Sequence, residues 1–147
     1  MAIRNIVKDG ESILRKRCRE VTEFDAKLAK LLDDMRETML YADGCGLAAP
    51  QVGIMRRAVV VEVGDFFVEM LNPRIVSKEG EQVGFEGCLS VPNKQCNIAR
   101  PFKVRVEFQD RKGAHKALDC EAMIARACCH ELDHLDGILF YDRELKE

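Results

Sequence analysis

An α+β domain built on mostly antiparallel sheet is the architecture this sequence predicts, and two observations carry that reading. Helical periodicity is confined to two well-separated segments, residues 25–43 and 122–135. Between them lie short Val-rich or alternating runs separated by turn residues, following one another without the regular strand–helix alternation that a doubly wound sheet requires. The 147 residues suit one domain, 1–147, large enough to hold a core without disulfide staples.

In residues 25–43, Leu28, Leu31, Leu32, Met35, Met39 and Leu40 recur at steps of three and four, with Asp25 placed to cap the start and Gly44 just past the end. The spacing predicts an amphipathic helix. Ala58–Val63 is short and Val-rich, and residues 66–71 follow Gly64-Asp65, so the pair is predicted as two strands joined by a tight connection. Val104, Val106 and Phe108 alternate with Arg105, Glu107 and Gln109. Asp110-Arg111-Lys112-Gly113 then supplies turn chemistry and residues 114–118 a return strand, giving a hairpin with one wet face. Asp119 stands where an N-cap would precede a second helix carrying Ala122, Met123, Ile124, Ala127, Cys128 and Leu135, which Gly137 can terminate.

Composition narrows the partners. Lys+Arg 23 against Asp+Glu 25 leaves a net charge of −2, so the basic field that accompanies nucleic-acid or anionic-membrane binding is missing, and neither partner is expected. Apolar runs are too short to span a bilayer. Residues 1–19 mix Arg4, Lys8, Arg15, Lys16 and Arg17 with Asp9 and Glu11, unlike a secretory signal. Seven cysteines without framework spacing then fit a reducing cytoplasm, in which a cysteine with a task is a metal ligand or nucleophile.

The strongest chemical signal is His130-Glu131-Leu132-Asp133-His134 in the second helix. Histidines at i and i+4 are separated by about 6 Å of rise and about 40° of rotation, so both imidazoles leave one face and can converge on one metal ion. Glu131 lies beside them, where a carboxylate can take a proton from water. The helix therefore becomes the centre around which the sheet is expected to pack. A third ligand must come from elsewhere. Phe140 stands where the long three-histidine motif would place its last histidine, the acids after His134 lie on a short tail, and His115 reads as a solvent-facing strand residue. Cysteine is the better source. Cys128 and Cys129 share the helix with both histidines and read as packing residues, while Cys18, Cys96 and Cys120 have no distinctive setting. Cys88, between Gly87 and Leu89 at a strand edge, and Cys45, in the small-residue loop 44–51 that follows the first helix, do.

Three segments, Gly44-Cys45-Gly46-Leu47-Ala48-Ala49-Pro50-Gln51, Glu86-Gly87-Cys88-Leu89-Ser90 and His130-Glu131-Leu132-Asp133-His134, resemble in order and spacing the three motifs of the peptide deformylases. The resemblance extends over essentially the whole chain, in the bacterial-type short form without the longer C-terminal extension of one subgroup. It implies an enzyme that removes the formyl group from N-formylmethionyl peptides and nascent chains, acting in the cytoplasm where they emerge near the ribosome. It also implies that Cys88, His130 and His134 bind the metal and that Glu131 moves the proton from water to the departing amine. By the same resemblance the Gln51 side-chain amide and the Leu89 backbone N–H stabilise the oxyanion. Gly46, Cys45 and Glu86 then contact or shape the substrate site, and Glu86 with Arg100 matches a supporting ion pair of relatives. The implied metal is Fe2+, with Ni2+, Co2+ or Zn2+ able to substitute; a Cys and two His set alone suits both iron and zinc, and a thiolate beside ferrous iron is oxidation-sensitive. Cys129 and Cys45 depart from the family's common Gln and Ile or Val, and Asn93 from its common Gly or charged residue. Two other readings use the same ligands, a non-catalytic metal site and an amide hydrolase of different specificity.

Overall fold

The computed structural model describes residues 2–146. Helix α1, Ala26–Tyr41, begins where the Asp25 carboxylate accepts the Leu28 N–H at 3.0 Å, satisfying one of the donors a helix start leaves open. Its buried stripe of Leu28, Leu31, Leu32, Met35 and Met39 packs against Leu47, Ala58, Val60 and Leu71 of the main sheet. The helix ends at Tyr41, and the chain turns through Asp43, φ +61°, so that the Gly44 N–H returns to the Met39 carbonyl at 2.9 Å.

The main sheet has five antiparallel strands: β1 (Gly46–Ala48), β2 (Ala58–Val63), β3 (Phe66–Glu79), β6 (Lys103–Gln109) and β7 (His115–Glu121), in the order β1-β2-β3-β6-β7. A separate two-stranded sheet pairs β4 (Gln82–Cys88) with β5 (Val91–Arg100). Because side chains alternate across a strand, β2 sends Ala58 and Val60 toward α1 and Val59 and Val61 toward the other core. That division is why its sequence is an unbroken apolar run. The second core is closed by helix α2, Ala122–Leu135, which places Ala125, Cys128, Leu132 and Leu135 against Val59, Val61, Met70 and Val106.

The architecture is thus α+β with mostly antiparallel sheet and two helices, and it corrects several local expectations. Asp119 does not cap α2. The return strand continues to Glu121 with Cys120 turned into the core and Asp119 paired outward with Arg105, and the helix starts abruptly at Ala122, a non-glycine residue at φ +55°. Gln82 braces this junction, its amide donating to the Ala122 carbonyl at 2.8 Å. Residues 46–48, expected in a loop, form the edge strand β1. Strand β3 runs on from Leu71 to Glu79 through bulges that absorb Pro73, as the missing proline N–H requires.

The N-terminal segment is anchored on α1. The buried Asp34 carboxylate accepts the Ala2 N–H at 2.7 Å and both Arg4 Nε and Nη2, at 3.0 and 2.8 Å, while the Arg4 N–H donates to Thr38 Oγ1. Burial alone would raise Asp34, but the donors from Ala2, Arg4 and Lys30 outweigh it and hold the carboxyl below its usual range. A depressed folded pKa contributes stability above the unfolded value of about 3.9, lost as pH falls through the folded one. Asp34→Asn is therefore expected to lower the unfolding free energy by about 1.5–3 kcal/mol at pH 7. Urea titrations should show the gap to the parent protein closing below about pH 4.

Candidate metal and catalytic site

Strand β4 ends at Cys88 after a register shift at residues 86–88, which aims the thiol at α2. On α2 the one-face spacing of His130 and His134 brings their rings to a 5.2 Å centroid separation. Cys88, His130 and His134 each offer a ligand atom within 4.8 Å of the others, and Cys88 Sγ lies 3.3 Å from His134 Nε2. Of the two cysteines singled out in the sequence, the structure brings Cys88 into this cluster and leaves Cys45 exposed on the wall of the adjoining cleft.

Behind the histidines sits a buried polar cluster. Glu86 Oε1 meets His130 Nδ1 at 2.9 Å and Arg100 Nη2 at 2.8 Å, and Glu86 Oε2 accepts Arg100 Nε and Arg126 Nη1, both at 2.8 Å. Arg100 continues to Asp133 at 2.7 Å. Burial works against the Glu86 carboxylate, yet its bonds to Arg100 and His130 pull it down to about 2. An ionised Glu86 is an acceptor only, so His130 Nδ1 carries a proton and Nε2 is the nitrogen left for a metal. For His134, burial first, with the like charges of His130 and Arg100, pushes the imidazole down to about 3, leaving the neutral ligand form.

The arrangement suits a divalent cation. One thiol and two imidazoles are the donor set of zinc and ferrous sites, and His134 Nδ1 and Glu131 Oε1 are buried with no hydrogen-bond partner among the described residues. Around His130, burial opposes protonation, but the bonds to Cys88 and Glu86 and the charge of Glu131 outweigh it and raise the imidazole well above its usual range, so a metal ion held there would take the place of the Nε2 proton.

Glu131 is 4% exposed, and burial raises its carboxyl to about 7. It faces Gly46 so closely that a Cβ there would sit 2.5 Å from Glu131 Oε2, so glycine on β1 is what makes room for it. Gln51, 1% exposed, lies in the 3-10 turn Ala49–Val52. Its Oε1 accepts the Ala48 N–H at 2.9 Å, which turns Nε2 toward Ser90 Oγ at 3.1 Å and Cys88 Sγ at 3.6 Å. A cleft of about 870 Å³ opens in front, lined by Cys45, Gly46, Gln51, Leu89, His130 and Glu131 among others.

One placement differs from what the sequence suggests, and two residues of the site are not among its candidates. Glu86 borders the cleft, but both carboxylate oxygens are engaged by Arg100, Arg126 and His130, so the residue orients a histidine and its carboxylate is not free for substrate. Arg126 is absent from the sequence candidates altogether. Its signal lies one helical turn before His130, a charge in the otherwise apolar run Ala125, Ala127, Cys128. Ser90, which holds the Gln51 amide, stands in the sequence only as the last residue of a motif.

Residues 3–147 match the family model described as polypeptide deformylase. A peptide deformylase of Caldanaerobacter subterraneus subsp. tengcongensis is 51% identical over 146 residues, 99% of this chain and 92% of the relative. The crystal structure of peptide deformylase from Thermotoga maritima superposes with a TM-score of 0.97 at 40% identity, covering 99% of this chain and 100% of that one. An actinonin-bound class I type b peptide deformylase from Acinetobacter baumannii gives 0.94 at 35% identity over 99% and 100%. Full-length agreement in sequence and fold, with the three motifs meeting at one cleft, means that the chain belongs to the polypeptide deformylase family, the enzymes that remove N-terminal formyl groups.

Proposed function

We infer that residues 1–147 form one catalytic domain, a metal-dependent hydrolase that releases formate from N-formylmethionyl peptides and nascent chains, in the cytoplasm near the ribosomes from which they emerge. The observation that supports it most is the convergence of Cys88, His130 and His134 beside a buried Glu131 whose Oε1 has no hydrogen-bond partner among the described residues. Fe2+ is the proposed ion, with Ni2+, Co2+ or Zn2+ able to substitute. Held by those three side chains, it would supply a Lewis acid that acidifies water and polarises the formyl carbonyl.

The protein's own groups then divide the work. Glu131 accepts the proton of the attacking water and returns it to the amine as the C–N bond breaks. Gln51 Nε2 and the Leu89 N–H donate to the oxygen that gains negative charge; removing one such donor typically costs about 2.7–4 kcal/mol of barrier lowering. Gly46 offers its backbone to the peptide, and Cys45 lines the cleft beside it. Glu86, Arg100 and Arg126 keep His130 in the tautomer that binds metal.

Formate release from formyl-Met-Ala-Ser by anaerobically purified protein loaded with ferrous iron or nickel tests this directly. Rapid release, slowed when actinonin, the molecule bound in the A. baumannii relative, occupies the cleft, is expected; no release from protein holding one metal per chain would overturn it. Gly46→Ala extends the test. The added methyl would meet Glu131 Oε2, Cγ and Cδ at 2.5, 2.8 and 2.9 Å, and pairing with Val61 holds the β1 backbone in place. Displacing the base by an ångström should cost about 10²-fold in kcat/KM, with metal content unchanged by elemental analysis.

A further inference from the structure

Gln51 and Leu89 belong to different bodies of the fold. The first follows β1 of the five-stranded sheet, and the second lies at the turn of the β4–β5 sheet, with no strand pairing between the two sheets. Their relative placement therefore depends on whatever crosses the gap. One crossing is local, the Gln51 amide on Ser90 Oγ and Cys88 Sγ. A second runs through α2, which packs on the main sheet and bonds Glu86 of β4 through Arg126 and His130, and a third is made by residues 7–9. The Val7 N–H donates to the Gln51 carbonyl at 2.7 Å, the Asp9 N–H to the Ser90 carbonyl at 2.7 Å, and Lys8 Nζ to the Leu89 carbonyl at 3.3 Å.

This strap is itself held at both ends. Upstream, Ala2 and Arg4 are fixed on Asp34 and Thr38 of α1. Downstream, the chain reverses at Gly10, φ +106°, where the Glu11 N–H returns to the Lys8 carbonyl, and the Asp9 carboxylate accepts the Tyr141 hydroxyl at 2.9 Å. A segment tethered on α1 and on the C-terminal 3-10 turn Phe140–Arg143 thus bonds the main chain at both candidate donors.

We propose that residues 7–9 are a positioning element for catalysis, fixing the spacing of the Gln51 and Leu89 donors across the two sheets. The proposal rests on the donor roles given above. An oxyanion donor acts on the transition state more than on bound substrate, so loosening the strap lowers kcat and leaves KM nearly unchanged.

Proline deletes a single backbone donor. At position 9 it also suits the turn, whose second residue favours proline when glycine follows. Val7→Pro and Asp9→Pro are compared with Val7→Ala and Asp9→Ala, which keep the N–H; the second alanine variant also accounts for the lost Tyr141 contact. The expected result is a fall of about tenfold or more in kcat for each proline variant relative to its alanine partner, with KM within about twofold and one metal per folded chain. A strap that serves stability alone would lower the melting temperature and the active fraction but leave kcat per folded, metal-loaded molecule at the alanine value, and that outcome overturns the proposal. Absence of formate release in the parent protein would instead remove the donor roles themselves, and this proposal with them, before any variant is compared.

Discussion

Glu131→Gln is expected to reduce formate release by about 10²–10⁴-fold, the range that a general acid–base contributes, while the protein still binds one metal per chain. Glutamine has nearly the shape of glutamate, so the pocket between Gly46 and α2 stays filled and the three ligands are untouched. What disappears is the ability to take and return a proton. The substitution should also cost no stability. Glu131 is buried with Oε1 unpartnered among the described residues, and a carboxylate in that setting carries a desolvation penalty that an amide carries to a lesser degree. Unchanged metal content and an equal or higher melting temperature, together with lost turnover, would separate Glu131 from its ligand neighbours. Loss of metal along with activity would make it part of the binding site and contradict the proton-transfer role, and full activity would point to a metal site that works without it.

The parts of this site legible in the sequence are those whose geometry is local. His130 and His134 share a face because a helix imposes it, and α1 shows its buried stripe because one side packs on a sheet. Strand β4 is hidden because its polarity is inverted, and β5 ends on a buried charge. Val83 and Phe85 are 55% and 74% exposed while Glu86 and Arg100 are buried, so the usual hydrophobic-in alternation points the wrong way. The same inversion hides the role of Glu86, whose partners come from β5 and α2. Cys88 can be short-listed by its flanking glycine, but choosing it over Cys45 requires either the family motifs or the fold, since Cys88 and the two histidines lie far apart in the chain. At Asp119 the N-cap signal is outweighed by the period-two pattern of β7, which places Cys120 in the core and carries the strand on to Glu121.

Glu86→Gln is expected to lower the unfolding free energy by about 3–5 kcal/mol, the cost of breaking a buried ion pair from one side. The Glu86 carboxylate is the shared counter-charge for Arg100 and Arg126 and the acceptor for His130. Arg100 retains Asp133, so the larger damage falls on Arg126, left with the Gly84 and Ile98 carbonyls at 3.4 and 3.5 Å. The amide oxygen that Glu86→Gln introduces can still accept from His130 Nδ1, so metal affinity should fall less than in Glu86→Ala, where losing the acceptor behind a ligand typically costs about 10–100-fold. Charge balance then makes a distinctive demand on the double variant. Glu86→Gln with Arg126→Met removes the cation that the single variant strands, and should recover part of the lost stability in urea unfolding, because a buried pair replaced as a whole is far less costly than one broken. A double variant less stable than Glu86→Gln alone would mean that Arg126 supports the fold through its packing and carbonyl contacts and not through its charge.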